Sequence, residues 1–91
     1  MEFEWDPAKS LRCQIERGFG FSDIVSAFSD PDRMVVPDIR FDYGEDRYQL
    51  FGHVRGRLHV IAYTQRGSAI RIIPARKANR RDQRRYDKRP A

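Results

Sequence analysis

The sequence predicts an α+β fold, one mainly antiparallel sheet packed by helices, and three observations carry that expectation. Residues 6–30 hold two helix-like segments punctuated by proline and glycine. From Met34 to Ile73 the pattern changes to short β-rich runs divided by glycine-bearing turns. A charged segment with a helix signature then closes the chain. The expected order is β-α-α-β-β-β-β-α in one domain over residues 1–91, with 87–91 as a flexible basic tail.

Each element has a local reason. Phe3, Glu4 and Trp5 read as a short strand stopped by Asp6-Pro7, where Asp suits a helix N-cap and Pro the first helical position. The helix that follows runs to about Arg17, with Ala8, Leu11 and Ile15 on one stripe, Cys13 off it, and Gly18 as C-cap. A second helix follows Phe21, with Ser22 as N-cap and Ile24, Val25 and Phe28 as its apolar side, and ends at Asp30-Pro31-Asp32. Strands are expected over Met34 to Val36, Tyr48 to Val54, Arg57 to Thr64 and Ala69 to Ile73, and residues 37–46 read as mostly strand plus turn. Arg55-Gly56 and Gly67-Ser68 are short enough for hairpin loops, so the last three strands should be antiparallel neighbours. The final helix starts near Asn79, which forms an approximate capping box with Asp82; Ala78, Asp82 and Tyr86 share its inner face, and Asp82 is placed to orient an arginine.

Charge narrows the function. Residues 76–91 contain eight Lys or Arg against two Asp, whereas residues 1–75 contain ten bases and eleven acids, so the net +5 originates at the C-terminus. A basic segment docked behind the strand-like Ile70-Arg71-Ile72 suits a polyanion such as RNA or DNA, or an acidic protein. The single Cys13 forms no internal disulfide, and the opening MEFEWDPAK lacks the pattern of a signal peptide. No apolar run approaches the roughly 20 residues of a membrane helix. A cytoplasmic protein with no membrane partner is expected.

The segments FEWDPAK near the start, GEDRYQLFG at 44–52, VIAYTQR at 60–66, and RIIPARKA with the later DQRRY resemble the BrnT family of toxins from type II toxin–antitoxin systems. Their order and spacing carry the resemblance, which covers nearly the entire chain. It implies a RelE-like ribonuclease fold and an endoribonuclease toxin that cuts RNA without metal or cofactor. It also implies a BrnA-like antitoxin with a ribbon-helix-helix portion, and operator DNA bound only through that complex. The chain departs from the family pattern at Glu16-Arg17-Gly18, where Lys-His-Gly is typical, and at Pro74, where Ser is typical.

Cleavage by internal 2′-hydroxyl attack needs cations to hold the phosphorane charge and a group to carry protons. Arg47 and Arg76 match family arginines and, with Tyr63 of the YTQR step, form the candidate catalytic set; Arg76 leads it as a phosphate clamp. The plain alternatives are a surface ion pair for each arginine and ring packing for Tyr63. Arg66, Arg71 and Lys77 are assigned to the RNA backbone, and Trp5 and Lys9, from the family's opening motif, to an RNA-facing role beside core and solvent alternatives. Glu45 is expected to pair with Arg47. A two-residue Arg55-Gly56 loop would pair His53 with Leu58 and set His53 and His59 on opposite faces; with one Cys and no ligand cluster, no metal site is expected. A noncatalytic RNA- or DNA-binding module is the competing function, and a protein that recognises only an acidic partner is a third.

Overall fold

The computed structural model describes residues 1–90. Its elements are β1 (Glu2–Glu4), α1 (Pro7–Arg17), a 3₁₀ helix (Phe21–Ser29), β2 (Met34–Pro37), β3 (Tyr48–Val54), β4 (Arg57–Arg66), β5 (Ala69–Lys77) and α2 (Arg80–Asp87). One five-stranded sheet has the order β1-β5-β4-β3-β2, with β1 parallel to β5 and every other pairing antiparallel. The small α+β domain expected from the sequence is thus present, with a 3₁₀ helix in the second helical position. The tail expected over 87–91 ends in Ala91, which lies outside the described residues.

The two hairpins set the register. Arg55 and Gly56 both have positive φ, as a two-residue turn between twisted strands requires, and the turn pairs Val54 with Arg57 and His53 with Leu58. His53 and His59 therefore project from opposite faces. Gly67 makes the second turn, which pairs Arg66 with Ala69. The β4–β5 ladder shifts register between Ile61 and Tyr63, leaving Ala62 beside Ile73 and Pro74. Proline cannot donate to the ladder, and this irregularity lets β5 continue through it to Lys77.

Helices cover the two faces unequally. α1, the 3₁₀ helix and the segment between them bury Cys13, Phe19, Phe21, Ile24 and Ala27 against Leu50, Val54, Ile61, Ile72 and Ala75. Contact is so close that a Cβ on Gly52 would lie 2.7 Å from the Ala27 carbonyl oxygen. On the other face α2 adds only Tyr86, and the link before it Ala78, to Phe51, Leu58 and Val60, with Met34 and Val36 at the margin. The Tyr86 hydroxyl donates to the Asp32 carbonyl at 2.7 Å, tying α2 to the turn before β2.

Four local expectations are corrected. Leu11 and Ile15 are 61% and 75% exposed, while Cys13 is 6% exposed. α1 lies along the sheet margin and touches it through Cys13, whose thiol donates to the Ala75 carbonyl, so the Leu11–Ile15 stripe turns outward. The 3₁₀ helix is capped at Gly20 and not at Ser22: Asp23 accepts from the Gly20 N–H at 2.8 Å, and Ser10 accepts from the Phe21 N–H at 2.9 Å. β1 ends at Glu4, one residue before Trp5, because its short ladder with β5 reaches only from Glu2 to Glu4. Residues 38–47 contain no strand; Asp38 folds back to bind Arg40 through both carboxylate oxygens, which takes the chain away from the sheet after Pro37.

Candidate nucleic-acid interface

The sheet face that α2 only partly covers carries a row of cations. Tyr48 pairs with Tyr63, so Arg47 continues the ladder opposite Thr64, and Thr64 pairs with Arg71. Arg66 lies two residues along β4 on the same face. Thr64 is buried and its hydroxyl donates to the Asp46 carbonyl at 2.7 Å, which holds the approach to β3 against β4. These arginines, with Asp6 and Lys9 at the start of α1, line a polar hollow of about 170 Å³.

Carboxylates orient the arginines without covering them. Glu45 sits between Arg47 and Arg66, 4.0 and 3.9 Å from their terminal nitrogens, and Glu4 is 3.6 Å from Arg71. The Arg47 guanidinium lies over the Tyr43 ring at 3.9 Å, and its Nε is buried with no hydrogen-bond partner among the described residues. A buried cationic N–H without an acceptor is costly; the part of the Arg47 side chain that stays exposed lines the hollow and can meet an anion there.

A second hollow of about 390 Å³ adjoins the first, sharing Lys9 and Ile73. Val60, Ala62, Ile73 and Gln49 form part of its lining, while Arg12, Glu16 and Arg17 of α1 and Arg40 and Arg76 supply charge. Arg76 is held by Asp82 in a two-pronged pair, and Asp82 also accepts from the Asn79 N–H that opens α2. Burial raises the Asp82 carboxyl, but the hydrogen bonds from Arg76 and Asn79 outweigh it and hold the group below the usual range. The bond from Arg40 holds Asp38 down in the same way. Lys9, Arg12 and Arg17 form no salt bridge among the described residues.

The expected site residues divide between the faces. Arg47, Arg66, Arg71 and Lys9 converge, and Arg76 lies one hollow away. Tyr63 is on the opposite face, packed edge-on to Phe28 and tilted against Tyr48, with burial raising its pKa. Trp5 packs edge-on to Phe21 in the larger core cluster. Lys77 pairs across strands with His59 and lines a different hollow with Arg55 and Arg57. The His59 Nδ1 lies 2.8 Å from the Arg57 carbonyl, and burial pushes its pKa down. His53 instead meets Asp30 at 3.0 Å. Among the described residues no group of three His, Cys, Asp or Glu side chains is placed to hold a metal ion. Sequence reasoning missed Gln49, Arg12 and Arg40; a polar Gln between Tyr48 and Leu50, in the apolar first half of its strand, was the available signal for the first.

A family model describing the ribonuclease toxin BrnT of type II toxin–antitoxin systems matches residues 5–82. The chain belongs to the BrnT family. The match runs from Trp5 to Asp82 and so takes in Lys9, all three arginines of the row, and the Arg76–Asp82 pair. A BrnT protein is a ribonuclease toxin, with RNA as its substrate and a cognate antitoxin as its partner. No individual curated protein matches the chain significantly. No helix among the described residues is long and apolar enough to cross a membrane.

Proposed function

We propose that this BrnT protein is a metal-independent endoribonuclease that cuts RNA on the arginine-bearing face of the sheet. The Arg47–Thr64–Arg71 row, joined by Arg66 and Lys9 around one hollow, is the observation that carries this reading. A phosphodiester in that hollow meets fixed cationic donors. The substrate's 2′-hydroxyl attacks the adjacent phosphorus, the P–O2′ bond forms, and the P–O5′ bond breaks. Arg47 and Arg71 neutralise the phosphorane oxygens as charge builds, which is where preorganised donors lower a barrier most. Glu16 and Lys9, which α1 presents to the adjoining hollows, divide the proton transfers: the Glu16 carboxylate takes the proton from the 2′-oxygen, and the Lys9 ammonium gives one to the departing 5′-oxygen. The products are a 2′,3′-cyclic phosphate and a 5′-hydroxyl.

Arg76 steadies the groove through Asp82 and adds positive potential. On this reading Tyr63, Trp5 and Lys77 serve the fold or the opposite face. The partner we assign is a BrnA-like ribbon-helix-helix antitoxin in the cytoplasm, with operator DNA contacted only through the complex.

The test uses purified protein in EDTA on an RNA oligonucleotide and its 2′-deoxy counterpart, with product ends identified by mass spectrometry. Cyclic phosphate from the RNA and an intact deoxy strand are expected. Cutting of the deoxy strand, or 5′-phosphate products, would contradict the mechanism. An intact RNA bound by folded protein would favour a noncatalytic binding module.

A further inference from the structure

Gln49 is 8% exposed on the face of β3 that carries the groove, in a cross-strand row with Ala62 and the Ile73–Pro74 step. Buried amide side chains ordinarily find hydrogen-bond partners. The amide of Gln49 forms none among the described residues, and it is not sealed from solvent, because it lines the larger hollow. Val60, Ala62 and Ile73 give that hollow an apolar floor, and its volume of about 390 Å³ lies within the ~300–1,000 Å³ typical of small-ligand pockets.

We propose that this hollow receives one unstacked nucleobase of the RNA and that Gln49 reads it, with adenine preferred. The inference rests on the RNA-cleaving reading and adds the base recognised beside the phosphate row. Arg40 and Arg76 are each held in a two-pronged pair, with Asp38 and Asp82, which occupies one donor edge of each guanidinium and leaves its flat faces for stacking. Among the polar side chains of this wall, Gln49 keeps both an acceptor and donors free. An amide of this kind matches the N6 donor and N7 acceptor of adenine. The corresponding edge of guanine offers two acceptors, which would set its O6 against the amide carbonyl in a poorly hydrated floor. Pyrimidines lack the N7 acceptor and fill less of the hollow.

The test is equilibrium binding of uncleavable 2′-deoxy pentanucleotides, deoxyuridine throughout except for a central adenine, guanine, cytosine or 7-deazaadenine. The unaltered protein should bind the adenine strand about tenfold more tightly than the others, the range a two-point base contact supplies. The 7-deaza strand, which lacks only the N7 acceptor, should lose most of that advantage. Gln49→Met should bring all the strands within about threefold of each other. Equal binding of every strand, a preference for guanine or cytosine, an unchanged 7-deaza affinity, or selectivity that survives in Gln49→Met would each overturn the proposal. Should Gln49→Met fail to fold, the 7-deaza comparison decides on the unaltered protein. Cleavage of matched RNA strands, measured in parallel, separates the two claims. Selective binding without cleavage keeps base reading and removes the ribonuclease mechanism; cleavage without selectivity does the reverse. Failure to bind any strand also overturns the base-reading proposal.

Discussion

The two faces of the sheet are built from the same three central strands and put to opposite uses. One face receives α1 and the 3₁₀ helix and buries ten residues in a continuous cluster. The other receives only the short α2 at one end and leaves arginines, a threonine and a glutamine along the rest. Strand alternation makes this possible, because successive side chains of β3, β4 and β5 point to opposite faces. Leu50 and Ile61 enter the core, while their neighbours Gln49 and Ala62 face the groove. Stability is therefore concentrated on one side of the backbone and anion binding on the other.

The largest effect should come from the packed face. Ile61→Ala removes a side chain with no exposure from the middle of the cluster and should cost about 2–5 kcal/mol in chemical unfolding. A loss below ~1 kcal/mol would mean that the two faces are not energetically distinct. Arg47→Ala should act on the other side, lowering RNA cleavage by on the order of 10²–10³, as the loss of one preorganised donor does elsewhere. Its unfolding free energy should change little, since the substitution removes the buried unpartnered Nε. A variant that unfolds with its activity would blur the comparison.

Acid should weaken the carboxylate contacts that frame the groove and α2. Asp30, held low chiefly by the His53 N–H, Asp38, held low chiefly by Arg40, and Asp82 all have folded pKa values below their unfolded ones. Their contributions are complete above the unfolded value near 3.9 and are lost as pH falls through the lower folded values. Stability measured by urea unfolding should accordingly decline below about pH 4. Asp82→Asn should flatten that decline and cost about 1–3 kcal/mol at neutral pH by releasing Arg76 and weakening the α2 cap. An unchanged acid profile would remove Asp82 from the account. Tyr63→Phe should matter least: the hydroxyl lies on the packed side, and cleavage should stay within about threefold of the unaltered protein, inside ~1 kcal/mol of barrier. A hundredfold loss would return Tyr63 to the chemistry.

Local signals were legible where local chemistry decides structure. Asp6-Pro7 opens α1 and Gly18 closes it with φ of 85°, as their types imply. Asn79 and Asp82 form the capping box of α2, and the two hairpin turns place His53 opposite Leu58. What could not be read was decided by tertiary placement. Leu11 and Ile15 form a plausible inward stripe, yet α1 sits at the sheet margin and needs only Cys13 beneath it. The grouping of Arg47 with Arg71 and its separation from Tyr63 depend on the register that the two hairpins set, where a slip of one residue exchanges faces, and the shift beside Pro74 then pairs Arg76 with Val60. Arg76 was visible as a candidate, but its engagement by Asp82 required α2 to fold back across the end of β5.

Methyl resonances can report directly which face meets RNA. Val60, Ala62 and Ile73 belong to the groove, and Ile24, Leu50 and Ile61 belong to the packed face or its covering helix. Isotope-labelled protein titrated with an uncleavable 2′-deoxy pentanucleotide containing a central adenine should show the largest shifts at the first three methyl-bearing residues and little at the second three. Shifts concentrated on Ile24, Leu50 and Ile61, with the groove unchanged, would contradict the assignment of the arginine-bearing face as the RNA site.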